Sequence, residues 1–335
     1  MQASRKAVGV WLLAIAVIIL AMVTIGGLTR ITGSGLSITE WDPIMGAVPP
    51  LNDAQWADAF AKYQKIPQYI LENRGMSLEA FKGIFWWEWT HRFLGRFLGV
   101  AFFVPFLWFA WKGAIRKSDW PRMLLLFVLG GLQGFIGWWM VQSGLETRVS
   151  VSQYRLAIHL GAALLLLIAI LWIALEYLRD LKSAPKPAGR TIGFVALIYV
   201  QMLLGALVAG LHAGLIYNTW PDMNGRMFPE DPFFSQPWWI NFFENPGLAQ
   251  FDHRIGAYIA AGFAAWIFAG GMRFGGYVKK SAKLVAAITA FQIGLGIFTL
   301  LLQAPEELAA LHQVTAAALL CAAVWHAYEM RHRIG

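Results

Sequence analysis

The histidines are the residues whose type and spacing in this sequence point to chemistry. The chain has 335 residues and seven histidines. Four of them open alternate apolar stretches, namely His91, His159, His253 and His312. An ionisable side chain within a membrane segment indicates a functional site by default. A lone case is explained as well by a hydrogen bond between helices, but four at corresponding positions favour a shared function.

Two histidines that face each other across a helical bundle can supply both axial ligands of a haem iron. A flat macrocycle also needs small residues beside its ligands, and the sequence offers them within one or two turns on nearly the same face. These residues are Gly95 and Gly99 after His91, Gly256 after His253, and Ala316 after His312. Close helix packing in lipid is an alternative explanation for them.

Two arginines directly follow candidate ligands. Arg92 comes after His91 and Arg254 after His253. Because a guanidinium matches the geometry of a carboxylate, these two residues could pair with haem propionates. The alternative is that both side chains snorkel to the membrane interface. His326 has no other histidine at its depth, so we interpret it as structural.

One carboxylate breaks the symmetry of the pattern. Glu88 lies three residues before His91, whereas Gln250 lies three residues before His253. A residue three positions away shares the helix face of the histidine. A carboxylate can act there as a base or an acid, and an amide cannot. The alternative for Glu88 is a salt bridge to Arg92.

The composition identifies the elements that must position these residues. Hydrophobic residues make up 58% of the chain and charged residues 14%, against about 25% charged in soluble domains. A membrane crossing needs about 20 apolar residues. Eight stretches qualify and are predicted to be helices, near 8–29, 85–111, 122–142, 156–178, 191–211, 250–272, 284–302 and 308–330. The predicted fold is therefore an all-α integral membrane protein in the lipid bilayer.

The basic residues predict the orientation of these helices. Lysine and arginine concentrate on the cytoplasmic side of membrane proteins. Basic residues cluster at both termini and in every second connection: Arg5, Lys6, Lys112, Arg116, Lys117, Arg122, Arg179, Lys182, Lys186, Arg190, Arg273, Lys279, Lys280, Lys283, Arg331 and Arg333. Both termini are therefore predicted to be cytoplasmic and the four histidines to lie toward the outer side. The net charge of +8 is a topology signal, which excludes nucleic-acid binding.

Two long outer loops differ from the short inner connections. Residues 30–84 and 212–249 are rich in Trp, Pro and Gly. Within the first loop, Trp56, Phe60 and Tyr63 recur at helical spacing. This pattern predicts a short amphipathic helix on the membrane face or, equally, an ordinary helix packed within the loop.

The chain contains an internal repeat. The corresponding residues are Gly35, Leu36 and Trp41 with Gly214, Leu215 and Trp220, and Gln133 and Gly137 with Gln292 and Gly296. Each half has an even number of crossings, which predicts parallel repeats, each a four-helix bundle. We place the halves at residues 1–185 and 186–335.

These features resemble those of the haem A synthase family over nearly the whole chain. The segments that carry the resemblance are EWTHR at 88–92, FDHR at 251–254 and AGLHAGLIYNTWP at 209–221. Members of that family oxidise a methyl group of haem O, through a hydroxymethyl stage, to the formyl group of haem A. Water supplies the oxygen, and haem A serves terminal oxidases.

The resemblance implies a role for each candidate residue. His91 and His159 would hold the substrate haem, and His253 and His312 would hold a permanent haem b as cofactor. Glu88 matches the essential acid of the family. The implied partners are haem O, haem O synthase (a farnesyltransferase) and an electron acceptor, and a homo-oligomer is left open.

One departure from the family concerns cysteine. Some bacterial members carry a cysteine pair in the first outer loop, but this sequence has one cysteine, Cys321 in the eighth helix. The sequence is therefore more similar to the proteobacterial and mitochondrial branch. No arginine- and serine-rich transit segment precedes the first helix, so we expect a bacterial inner membrane.

Two other functions compete with an oxidoreductase. A two-haem b-type cytochrome that only transfers electrons would need the four histidines but not Glu88. A transporter built on parallel repeats would explain polar groups in the membrane but not four histidines at equal depth.

Overall fold

The computed structural model describes residues 2–179 and 188–332 of the chain. The described residues are helical, with a single β-bridge between Met223 and Arg226 and no sheet. The α-helices are α1 (Gln2–Ile31), α2 (Asp53–Tyr63), α3 (Pro67–Leu71), α4 (Leu78–Trp111), α5 (Trp120–Leu145), α6 (Gln153–Arg179), α7 (Gly189–Gly210), α8 (Asn241–Glu244), α9 (Pro246–Gly271), α10 (Gly276–Leu301) and α11 (Glu306–Arg331). Short 3₁₀ turns lie at Met45–Ala47, Lys117–Asp119, Ala213–Leu215 and Trp238–Ile240.

Eight of the described helices are long and apolar enough to cross a bilayer: α1, α4, α5, α6, α7, α9, α10 and α11. Each predicted stretch coincides with one of them, and three stretches run one residue past the helix end. The prediction of an all-α fold with eight spans is therefore confirmed. The basic residues Lys182, Lys186 and Arg333 lie outside the described residues.

The second span begins earlier than the sequence predicts. Helix α4 starts at Leu78, where Ser77 caps it by accepting a hydrogen bond from the backbone N–H of Ala80. The first outer loop is correspondingly shorter than residues 30–84. His91 therefore does not open its helix but lies thirteen residues inside it. A search for apolar runs misses this start because the first turns of α4 contain polar residues such as Lys82. The start is set instead by one side chain, the cap at Ser77.

The chain divides into two compact units, residues 17–163 and the remainder. In the second unit, α7 contacts α9, α9 contacts α10, α10 contacts α11, and α11 contacts α7. These four helices thus form a closed ring. In the first unit, α4 contacts α2 and α5. The predicted boundary near 185 falls in the segment outside the described residues, and the division into repeats at 1–185 and 186–335 remains a prediction.

An aromatic cluster organises the long loop between α1 and α4. Trp56 and Tyr63 of α2 pack with Phe81 and Phe85 of α4 and with Leu36. Of the two alternatives for this helix, the packed loop helix is the one observed, because its apolar face is covered by protein. Burial also raises the pKa of the Tyr63 phenol. The cluster fixes Leu36 and, through it, the backbone that follows.

Replacing Phe81 by alanine should remove the centre of this cluster. Phe81 is fully buried, and a buried Phe→Ala change lowers the free energy of unfolding by about 3–5 kcal/mol. Unfolding of the purified protein in mixed detergent micelles measures it. Leu71→Ala is the control, since Leu71 is exposed and its loss should change the free energy by less than about 0.5 kcal/mol. Equal effects of the two changes would show that the cluster does not stabilise the loop.

Candidate functional site: four histidines against four glycines

Each of the four predicted histidines lies against a glycine of the preceding long helix. A Cβ atom added to the glycine would approach the Cε1 atom of the histidine ring to within 3.2 Å or less in every case. The distances are 2.9 Å for Gly26 and His91, 3.1 Å for Gly137 and His159, 3.2 Å for Gly205 and His253, and 2.8 Å for Gly296 and His312. We call these contacts the four cradles. Only glycine leaves room for such close approach.

The histidines of each compact unit lie near one another. The rings of His253 and His312 have centroids 6.3 Å apart, with their planes inclined at 73°. His91 and His159 lie within range of an electrostatic interaction. The Nδ1 atoms of His91 and His159 are buried without a hydrogen-bond partner among the described residues. The structure therefore brings the predicted residues together in two pairs.

The second pair is contacted by two glutamines. The Gln201 Nε2 atom lies 3.1 Å from His253 Nδ1 and donates to the backbone oxygen of the same residue at 2.8 Å. Gln292 does the same at His312, with distances of 3.1 and 2.9 Å. Gly256 makes room for the Gln201 carboxamide, because a Cβ there would collide with Oε1. This contact is a use of Gly256 that the sequence did not suggest.

The donor set fits a group that takes two imidazoles rather than a bare ion. Among the described residues, no cluster of three or more His, Cys, Asp or Glu side chains is arranged to hold a metal ion. The 6.3 Å between the rings of His253 and His312 equals two metal–imidazole bonds of about 2 Å plus the radii of the two rings. Haem iron takes two such axial ligands, so this pair has the spacing that a haem requires.

Glu88 is buried and held by four donors. Its Oε1 atom accepts from Arg92, at 3.0 Å from Nε and 2.6 Å from the nearer terminal nitrogen. Its Oε2 atom accepts from the Ser37 hydroxyl and the Ile38 N–H, each at 2.8 Å. The salt bridge to Arg92, which the sequence offered as the alternative, is present. The loop contacts to Ser37 and Ile38 were not predicted.

Gln250 occupies the matching place in the other unit. It is 3% exposed, as is Glu88, and its Oε1 atom accepts from Arg254 at 3.1 Å. Its Nε2 atom donates to the backbone oxygen of Ala213 at 2.8 Å. Glu88 and Gln250 therefore each hydrogen-bond the loop that follows the preceding long helix. We call each of these contacts a latch. The amide donates to the loop where the carboxylate accepts from it.

The two arginines clamp the same loops through backbone oxygens. Arg92 donates to Ile38 at 2.7 Å and to Glu40 at 2.9 Å. Arg254 donates to Tyr217 at 3.0 Å and to Thr219 at 3.1 Å. These acceptors are 179 positions apart in each case, the spacing found in the sequence repeat. Most guanidinium donors are thus engaged, and the Arg254 Nε–H is buried without a partner in the described part of the chain.

The loop clamped by Arg254 carries an ordered turn. The Thr219 hydroxyl and the Gly225 N–H both donate to the side chain of Asp222. The bond from Thr219 is the main reason that the pKa of Asp222 lies below its usual value, and the bond from Gly225 adds to it. The carboxylate therefore stays charged at the mouth of the loop.

Comparison with known proteins agrees with this arrangement. The family model described as cytochrome oxidase assembly protein (COX15-CtaA) matches residues 9–324. The chain belongs to this family. A relative from Parvibaculum lavamentivorans named heme A synthase is 46% identical, over 98% of this chain and 96% of its own. Relatives with the same name from Azorhizobium caulinodans and Rhodopseudomonas palustris (strain BisA53) are 49% and 50% identical, over 98% and 94% of this chain and 96% and 88% of their own.

Membership of this cytochrome oxidase assembly family, together with the eight apolar spans, makes the chain a multi-pass membrane protein.

His326, interpreted as structural, is 2% exposed and its Nδ1 atom lies 2.9 Å from the Ser281 hydroxyl. That bond joins α11 to α10, as a structural histidine would.

Several site residues escaped the sequence reasoning. They are Gly26, Gly205, Gln201 and Arg96, and the last donates to the backbone oxygens of Asp42 and Pro43. A pattern search for Gln followed four residues later by Gly would have found Gln201 and Gly205. Arg96 shares a face with Arg92 one turn away.

Replacing Gly296 by alanine tests the tightest cradle. The added Cβ would lie 2.8 Å from His312 Cε1, so the ring must move, and overpacking of this kind costs about 1–3 kcal/mol. Gly294→Ala is the matched control on the same helix, because its Cβ would meet nothing within 4 Å. That change should be stabilising by about 0.5–1 kcal/mol. Thermal unfolding in detergent measures both, and equal midpoints would refute the close contact.

Proposed function

We propose that this chain is a haem A synthase, a membrane oxidoreductase that converts the methyl group of haem O to the formyl group of haem A. The carbon passes through a hydroxymethyl stage and takes its oxygen from water. Full-length similarity to relatives of that name supports the activity. One observation supports placing the oxidation in the amino-terminal half. Glu88 has a carboxylate there, whereas Gln250, at the matching position of the other half, has an amide.

We assign the substrate to the amino-terminal pair, so that His91 and His159 hold haem O. The support is that Glu88 lies on the helix of His91, three residues away. His253 and His312 then hold a permanent haem b. A haem b held there would supply one-electron transfer between the substrate and an external acceptor.

Glu88 is placed to take a proton during the oxidation. Forming a formyl group from a methyl group and water releases four electrons and four protons, so a base beside the substrate is needed. Oε1 faces the charged Arg92, which disfavours protonation there, whereas Oε2 faces only the neutral Ser37 hydroxyl and the Ile38 N–H. The proton therefore goes to Oε2, and the Ser37 hydroxyl can rotate to accept from it.

The remaining arginine donors suit the carboxylates of a porphyrin. Arg254 keeps a buried Nε–H, and Arg96 a buried terminal nitrogen, that find no partner within residues 2–179 and 188–332. Charge-assisted hydrogen bonds from guanidinium to carboxylate are among the strongest available. We assign propionate binding to Arg254 in the second half. In the first half Arg92 is the sequence-based choice, and the free donor of Arg96 supports adding it.

The orientation and cellular place of the enzyme are part of the proposal. Both termini face the cytoplasm of a bacterium, the chain lies in the inner membrane, and the haem sites lie toward the periplasm. The asymmetry of lysine and arginine between the connections supports this topology. Haem O synthase, a farnesyltransferase, supplies the substrate and is a proposed partner.

The Glu88→Gln change tests the enzyme against a cytochrome that only transfers electrons. The amide keeps the size of Glu88 and one acceptor oxygen, but it cannot accept from both Arg92 and the Ile38 N–H. Bound haem is therefore quantified first, as the check that the variant is folded. Formyl formation should fall by about 10²–10⁴-fold, the usual contribution of a general base or acid. Pigments extracted from cells that express each variant, separated by chromatography, measure haem A directly.

The reciprocal change Gln250→Glu is the control for this experiment. It breaks the donation from Gln250 to the Ala213 carbonyl in the half to which we assign no proton transfer. It therefore measures what the loss of such a loop contact costs, and haem A formation should fall much less than in Glu88→Gln. Normal haem A formation by Glu88→Gln would remove the proposed role of Glu88. Wild-type protein that retains two haems but yields no haem A would favour the pure electron carrier.

The ligand assignment of the second pair has its own test. Replacing His253 or His312 by alanine should remove the bound haem b, because each supplies one of two axial bonds. Reduced-minus-oxidised spectra with haem quantified per chain measure the loss. His326→Ala is the matched control, since His326 is buried on the helix of His312 but bonds to Ser281. Full haem b content in both ligand variants would overturn the pairing.

A further inference from the structure

The four cradles share a second position, four residues before the glycine and therefore on the same helix face. This position is occupied by Gln133 before Gly137, Gln201 before Gly205, Gln292 before Gly296, and Met22 before Gly26. Three of the four residues are carboxamides. The exception belongs to His91, which is one of the proposed ligands of the substrate.

At the second pair, each glutamine is nearest to the Nδ1 atom of its histidine, the ring nitrogen that would face away from a metal bound at Nε2. Gln292 Nε2 also lies 3.3 Å from His312 Nε2. Gln201 and Gln292 each lie 3.1 Å from the Nδ1 atom of their histidine. The Oε1 atoms of both glutamines are buried and have no hydrogen-bond partner among the described residues. A histidine that binds a metal through Nε2 carries its proton on Nδ1, which then needs an acceptor. The terminal torsion of glutamine is broad and roughly two-fold. The carboxamide can therefore turn Oε1 toward that proton, in exchange for its present donation to the backbone oxygen of the histidine.

The third glutamine, Gln133, also has an acceptor oxygen without a hydrogen bond among the described residues, and the ring nitrogen of its histidine lacks one too. Gln133 Oε1 and His159 Nδ1 are both buried, and neither has a partner among the residues that the structure describes. Gln133 lies one turn before Gly137, whose added Cβ would come within 3.5 Å of His159 Nε2 and 3.6 Å of Nδ1. An acceptor is therefore available for His159 as well.

His91 alone lacks a carboxamide at this position. Its Nδ1 atom is buried and has no partner in the part of the chain that the structure describes, and Met22 offers only a thioether, a weak acceptor. The methyl group of Met22 faces Gly95 of α4, where an added Cβ would lie 3.7 Å from it. A hydrogen bond at Nδ1 makes an imidazole a stronger ligand, and its loss typically costs 10–100-fold in affinity.

We propose that the residue four positions before each cradle glycine sets the strength of the histidine as an iron ligand, and that Met22 makes His91 the exchangeable ligand of the substrate haem. Gln133, Gln201 and Gln292 are positioning residues that keep their histidines on iron. This inference rests on the proposed haem ligation. The exchange of His91 would give the iron of the substrate haem one open coordination position, while the permanent haem keeps both of its histidines.

Carbon monoxide binding to the reduced protein tests the exchange. The gas binds only where a ligand leaves the iron, so wild-type protein carrying both haems should bind it at the substrate haem and not at haem b. Met22→Gln should slow this binding by about 10-fold or more, since it supplies the missing acceptor. Met22→Leu is the matched control and should bind at the wild-type rate. Equal rates for Met22→Gln and Met22→Leu would overturn the assignment of Met22.

The reciprocal change Gln201→Met provides an independent arm if Met22→Gln does not fold. It should let carbon monoxide bind haem b and raise its midpoint potential, because a weaker donor favours ferrous iron. A tenfold change in the ratio of ferric to ferrous affinity corresponds to about 59 mV. Gln201→Glu, which restores an acceptor, should return the potential toward the wild-type value. An unchanged potential in Gln201→Met would refute the role of the glutamine.

These outcomes are distinct from failure of the proposed function. Purified wild-type protein without haem absorption would remove the ligation itself. Protein that holds both haems but shows no difference among the Met22 and Gln201 variants would remove only this inference.

Discussion

The fit of an imidazole ring against a glycine backbone is the contact on which the rest of this structure depends. Helices normally stay apart by the width of their side chains, and glycine removes that limit at one point. In each cradle the bare backbone allows the ring of the next helix to occupy the helix–helix contact. The same contact fixes the rotation of both helices about their axes. The site residues on these same helices then follow from helical geometry, including Glu88 one turn from His91.

Buried charge is the second constraint. Glu88 is withdrawn from water, and a carboxylate so placed is tolerated only if paired and hydrogen-bonded. Arg92, Ser37 and Ile38 together supply that compensation. Gln250 performs the same mechanical task without charge. The amino-terminal half therefore carries a costly group that its fold does not require, which is the physical reason to look for chemistry there.

The sequence predicts those parts of the structure that depend on composition and local spacing. The eight spans follow from runs of apolar residues, and the four histidines follow from their positions in those runs. The partners of Glu88 could not be predicted, because Ser37 and Ile38 lie 51 and 50 positions away in the chain. Gln201 and His253 are separated by 52 positions. Periodicity defines the face on which a residue lies, but the register between two helices depends on three-dimensional packing.

The arginine clamps have a consequence for how such proteins diversify. Arg92 and Arg254 grip the carbonyl oxygens of Ile38, Glu40, Tyr217 and Thr219. Every amino acid supplies a carbonyl, so the grip is indifferent to the side chains that the loops present. The side chains on the surface of these loops, and with them the binding partners of the loops, can therefore change while the arginine–carbonyl hydrogen bonds remain.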